Sequence, residues 1–207
     1  EAVAVLRLLE GRQEDWQSLF GSAGYMRLKS REAAMHREFT DSEFARFVRS
    51  DSLRHGARDL RRALSEWERA DVTGAAARAL AYLPPEAGIH ATVFVVIKPR
   101  SNSFVNDVQS DPAIFLYLDP AETRPQFENT VAHELHHIGY ASVSARTDSI
   151  VAALPDSVRS AVEWMGAFGE GFAMLAAAGG PDVHPHAVSP PADRARAGSV
   201  GPRSTAP

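Results

Sequence analysis

The chain has 207 residues, 22 basic against 26 acidic for a net charge of −4, and 44% hydrophobic residues, enough to bury a core. A chain disordered throughout is therefore excluded, and the basic excess of a duplex-binding surface is missing, so no nucleic-acid partner is expected. Without cysteine there are no disulfides, thiolate nucleophiles or Cys-rich metal knuckles, and no apolar run approaches the roughly 18 residues of a membrane span.

Residues 1 to about 83 read as helices. The opening Glu1-Ala2-Val3 carries no basic segment followed by an apolar one. The chain is thus expected to be a soluble processed form or fragment, with no export signal visible and its compartment open. Val5, Leu6, Leu8 and Leu9 make an apolar face that Trp16, Leu19 and Phe20 continue, up to a break at Gly21-Ser22-Ala23-Gly24. A second helical stretch near Ser30 carries Ala33, Ala34, Met35 and Phe39. Asp41 is expected to cap the next, which carries Phe44, Phe47 and Val48. Leu53, Leu60, Leu64 and Trp67 mark another, and Ala75 to Leu83 a short one stopped by Pro84-Pro85.

The period then changes. Ile89 to Ile97 is rich in β-branched residues and reads as a buried strand, Ser101-Asn102-Ser103 as a turn, and Ala113 to Leu118 as a second strand. Gln126 to about Ser142 returns to helical spacing, and Pro155 to Ala178 is expected as one helix ending at Gly179-Gly180. Residues 181–207, rich in Pro, Ala and Arg, are expected to form a disordered tail.

The strongest signal is His133-Glu134-Leu135-His136-His137, an H-E-x-x-H motif. At about 100° per residue, His133 and His137 lie about 40° apart on one helix face, so two imidazoles can converge on one zinc ion. Glu134 sits about 80° to one side of that direction, placed to reach a water on the metal without binding the metal itself. A site of this type needs a third protein ligand. In the metzincin form it is a His six residues after His137, with a Gly three after; those positions hold Val143 and Tyr140, so that form is excluded. The other source is a Glu on the 155–178 helix. Glu163 and Glu170 lie there on nearly one face but about 10 Å apart along the axis, so only one can ligate. Glu170, flanked by Gly169 and Gly171, is preferred because small neighbours let two helices approach closely; Glu163 is the alternative.

With His133-Glu134-x-x-His137 followed by Glu170-Gly171-x-Ala173, the chain resembles the gluzincin metallopeptidases. It is more closely similar, over roughly residues 1 to 178, to an uncharacterised bacterial family of zinc-dependent peptidases. In that family a stretch like Trp16-x-x-Leu19-Phe20-x-x-x-Gly24-Tyr25 precedes the histidine motif. The resemblance implies an α+β, zincin-like fold in one domain over 1–180. An N-terminal helical layer (1–88) would precede a small mixed sheet, an active-site helix and a ligand-bearing C-terminal helix (89–180). It implies a zinc-dependent metallopeptidase acting on a peptide or protein substrate. Zn2+ would be held by His133, His137 and Glu170, with Glu134 as general base. It also implies strand 113–118 as an edge on which an extended peptide pairs. One position departs from the pattern: thermolysin-like enzymes place an Asp four residues after the ligand Glu, to orient a histidine, and here that residue is Met174.

The rival reading keeps the zinc and drops the chemistry: a catalytically inactive zinc-binding domain used for folding or partner binding. Glu134 argues against it, since a structural site has no need of a carboxylate beside an open coordination position. His136 falls about 80° from the metal direction, opposite Glu134, and reads as a supporting or surface residue. Tyr140 reads as an oxyanion donor or a packing residue, and Asn129, one turn before His133, as a support for a ligand or an ordinary polar residue. His184 and His186 read as solvated, and His36, His55 and His90 as ordinary surface or core histidines. The Arg-rich segment 27–69 mixes acids among its bases, so it reads as solvated helix faces with local ion pairs. Trp16, Phe20, Phe44, Phe47 and Trp67 read as core.

Overall fold

The computed structural model describes residues 1–12, 15–162, 166–180 and 182–183. The expected tail, apart from Asp182 and Val183, lies outside the described residues, as does Glu163. The class is α+β: helices and a small mixed sheet. Two compact units make up the chain, Glu1–Arg69 with His90–Pro120, and Ala70–Ile89 with the residues from Ala121 on. Among the described residues no helix is long and apolar enough to cross a membrane.

The first unit opens with α1 (Ala2–Leu9), α2 (Asp15–Phe20), α3 (Ala23–Ala34), α4 (Asp41–Val48) and α5 (Asp51–Trp67). The apolar face read from the sequence is buried in part: Val5, Leu6, Leu19, Phe44, Val48, Leu64 and Trp67 lie in the core, whereas Trp16, Phe20 and Phe47, also expected there, are only half-buried. Tyr25 is fully enclosed, with the rings of Phe20, Phe39 and Phe44 at 5.1, 6.0 and 5.1 Å. Its hydroxyl donates to Asp41 (2.7 Å), which also pairs with Lys29 at 2.6 Å. These contacts draw the Asp41 carboxyl below its usual range, Lys29 foremost. Asp41 is therefore not the cap of α4. Thr40 caps it in a reciprocal box, its hydroxyl accepting from the Glu43 N–H while the Glu43 carboxylate accepts from the Thr40 N–H at 2.8 Å. The helix expected near Ser30 starts earlier, because Ser22 caps α3 in the segment that reads as a break. On segment 27–69 some bases pair locally, Arg62 with Asp59 (3.3 Å) and Arg69 with Glu66 (2.9 Å). Arg27 instead pairs with Asp107 and Asp111, and Arg61 with Glu10, so the expectation of local pairs holds only in part.

Helix α3 ends in a Schellman motif: the Arg37 N–H reaches the Glu32 carbonyl (2.9 Å) and the His36 N–H the Ala33 carbonyl (3.0 Å). That closure puts His36 at φ 54°, a left-handed conformation in which its Cβ is strained. His36→Gly is expected to raise stability by about 0.5–1 kcal/mol, because glycine carries no such penalty. Chemical denaturation should show a higher midpoint at an unchanged slope; a lower midpoint would contradict the strain.

The sheet of this unit is β1 (Thr92–Val96), β2 (Phe104–Asn106) and β3 (Ala113–Tyr117), in the order β1-β3-β2. β1 pairs parallel and β2 antiparallel to β3. The two expected strands are present in shortened form; β2 was not legible, being three residues directly after a Ser-Asn-Ser turn. β3 is the central strand. Both its edges are taken, so it offers no edge to an extended peptide, contrary to the expectation for 113–118. Its unbroken apolar run suits that position, with Ala113, Ile114, Phe115 and Leu116 all buried. Register is set by aromatic pairs: Phe115 lies opposite both Phe94 and Phe104 and stacks on them at 5.2 and 5.0 Å.

The second unit holds α6 (Val72–Leu80), α7 (Arg124–Ala152), α8 (Asp156–Val162) and α9 (Gly166–Ala178). The helix expected over Ala75–Leu83 starts and ends three residues earlier, since the Asp71 side chain caps it through the Gly74 N–H (2.8 Å). The expected 155–178 helix is described as α8 and α9, with 163–165 outside the described residues. α7 outruns the expected 126–142: Thr123 and Gln126 box its start at 2.9 Å, and no Gly or Pro interrupts the chain between Gly139 and Pro155. It packs against α6 and α9. Two ties fix it to α6, the Asp71 N–H to Glu128 Oε1 (2.9 Å) and Arg78 to the Glu128 carbonyl (3.0 Å). At Gly139 a Cβ would come within 2.4 Å of Leu83 Cδ1, so glycine permits the close approach there.

Candidate metal centre

The H-E-x-x-H residues sit on the middle of α7, in a stretch where Val131, Ala132, Leu135 and Ile138 are buried. From one face His133 and His137 project with their Nε2 atoms 3.1 Å apart. α9 brings Glu170 to them, one carboxylate oxygen 3.4 Å from His133 Nε2 and the other 3.5 Å from His137 Nε2. Ala173 and Ala176, fully buried on α9, are the small side chains that permit this proximity. The expected reason was different and is corrected: a Cβ at Gly169 or Gly171 would meet nothing within 4 Å, so neither glycine is needed for a close helix approach.

These three donor groups could hold a metal ion. Tetrahedral zinc, with bonds of about 2.0–2.1 Å, separates its ligand atoms by about 3.3–3.4 Å. The Nε2–Nε2 separation of 3.1 Å is close to that spacing, and with one ligand atom taken from each residue the three lie within 4.8 Å of one another. Two imidazoles and a carboxylate are also a donor set that zinc favours. Glu170 keeps 65% of its side chain exposed, so the cluster opens to solvent on that side.

Electrostatics favour the metal-binding form of the ring. Burial, then the neighbouring His137, push His133 down to about 4, so it is neutral at physiological pH; Glu170 and the Ala173 carbonyl oppose this. That carbonyl faces His133 from α9 and supplies a backbone acceptor in a chain whose position 174 is methionine.

Glu134 is buried beside the pair, at 8% exposure. His136 is buried too, which excludes the surface role weighed for it. Burial and His137 lower its pKa while the Tyr82 carbonyl favours the protonated ring, although neither ring nitrogen reaches a partner with hydrogen-bond geometry. Asn129 is buried with no hydrogen bond to either imidazole among the described residues. Tyr140 is exposed, one turn past His137 and within about 20° of the His133 direction around the axis. His36 and His55 belong to the first unit, His55 bonding the Asp51 carbonyl at 2.7 Å; His184 and His186 lie outside the described residues.

A family model described as "Putative zinc dependent peptidase (DUF5700)" matches residues 14–197. No curated protein and no solved structure matches the chain.

Proposed function

The chain belongs to the DUF5700 family, and from that premise we propose that it is a zinc-dependent metallopeptidase hydrolysing peptide bonds of a peptide or protein substrate. The observation that carries this reading is the convergence of His133, His137 and Glu170 from two helices, with one ligand atom from each within 4.8 Å of the others. In this reading those three residues hold the ion. Zinc there supplies Lewis acidity, polarising the scissile carbonyl and lowering the pKa of a water towards roughly 7. Glu134, next to His133 and off the metal direction, accepts the proton of the attacking water and returns it to the leaving amine. Ala173 orients His133 through its carbonyl, in place of a side-chain carboxylate. The same reading makes the fold zincin-like, with residues 1–180 as one peptidase domain and 181–207 as a tail.

The test is metal analysis of the purified protein, followed by a general peptide-cleavage assay with and without chelator. About one zinc per chain is expected, with cleavage abolished by chelation and restored by added zinc. Zinc binding without chelator-sensitive cleavage of any peptide tried would replace this reading by that of an inactive zinc-binding domain.

A further inference from the structure

A second feature lies in the first unit, remote in sequence from the histidine motif. Between the end of α3 and the segment after β1 is a small half-open cavity of about 180 Å³, room for a ligand of a few heavy atoms beyond a carboxylate. Its apolar wall is Leu28, Phe39 and Phe44; its polar end is Glu32, Arg37, Lys98 and Arg100.

The charges at that end do not cancel. Glu32 is buried and serves two guanidinium groups, Arg31 at 2.6 Å and Arg37 at 3.0 Å. Glu43, also on the lining, is turned to the cap of α4, where Thr40 holds it at 2.8 Å. Lys98 is only 5% exposed, yet its ammonium meets no carboxylate; it donates to the Arg100 carbonyl and to Asn102 Oδ1 (2.8 Å). Arg100 is exposed, and its guanidinium has no carboxylate partner among the described residues. On the lining Glu32 thus faces three cations, Arg37, Lys98 and Arg100, while the buried Glu1 carboxylate also acts on Lys98. Burial lowers Lys98 to about 8; Glu32 opposes this, and Arg31, Arg100 and Arg37 add to the fall.

We propose that this cavity binds a small carboxylate with an apolar body, the carboxylate held by Lys98 and Arg100 and the body against Leu28, Phe39 and Phe44. The apolar wall of Leu28, Phe39 and Phe44 favours a carboxylate carrying an apolar body over inorganic phosphate. Lys98 has spent two of its three N–H groups and Arg37 is tied to Glu32, leaving one ammonium N–H and one guanidinium fork for two acceptor oxygens. The apolar wall accounts for the rest of the ligand.

The experiment titrates the full chain with butanoate, its neutral amide butanamide, and inorganic phosphate, followed by calorimetry. The carboxylate is expected to bind at least tenfold more tightly than either of the others. Arg100→Gln, at an exposed position where folding is not at stake, is expected to weaken carboxylate binding at least tenfold while leaving zinc content unchanged. Lys98→Met, checked for an intact thermal transition, should do the same. Equal binding of acid and amide, phosphate binding as tight as the carboxylate, no binding of the carboxylate, or an Arg100→Gln protein that binds like the parent would each overturn the assignment.

Discussion

His133→Ala and His137→Ala are each expected to strip the protein of zinc. The two rings present their Nε2 atoms 3.1 Å apart, and each lies within 3.5 Å of a Glu170 oxygen, so removing either breaks the donor triangle. Loss of an outer-shell partner costs about 10–100-fold in metal affinity; loss of a ligand itself should exceed about 100-fold. Metal analysis after dialysis measures this directly. Near-stoichiometric zinc remaining in either variant would sink the ligand assignment. The buried His136, one residue from His137, provides a contrast: its position lies about 80° around the helix from the shared face, so His136→Gln should retain zinc.

Glu134→Gln and Glu170→Gln are expected to fail in different ways. Glu134 lies off the metal direction, so its amide should keep zinc and lose about 10²–10⁴ in hydrolysis rate, the usual contribution of a general base. Glu170 supplies the negative charge and the third bond, so its amide should weaken zinc binding itself, with activity falling as a consequence. Glu163→Gln should do neither. Zinc content and cleavage rate of the three variants under one set of conditions separate these outcomes. Zinc lost from Glu163→Gln and kept by Glu170→Gln would transfer the third ligand to position 163.

Local chemistry was legible wherever spacing alone carries the information. His133 and His137 share a face because four residues make just over one helical turn, and that holds in any helix. The α+β class followed from a change of period near residue 89. The length of α7 was not legible. Beyond Ser142 the polar residues Ser144 and Arg146 to Ser149 interrupt the apolar period, and the helix runs on to Ala152 with no Gly or Pro to stop it before Pro155. β2 was not legible either, since three residues carry no period and its pairing with β3 defines it.

Glu170 marks the boundary between the two kinds of knowledge. Sequence alone offered two acids seven residues apart and a reason, the flanking glycines, that the packing does not use. The tertiary structure brings Glu170 to the histidines through buried Ala173 and Ala176, because which face of α9 meets α7 depends on summed burial along both helices and not on the residues next to the ligand. The cation-lined cavity is a tertiary product in the same sense: Glu32, Arg37, Lys98 and Arg100 come from segments some sixty residues apart, and their imbalance of charge exists only once folding has gathered them. The sequence by itself determined the two imidazoles, the neighbouring acid and the apolar periods, all of which are local. Only the tertiary structure decided the third donor, the central place of β3 and the surroundings of Lys98, because each rests on contacts between distant segments.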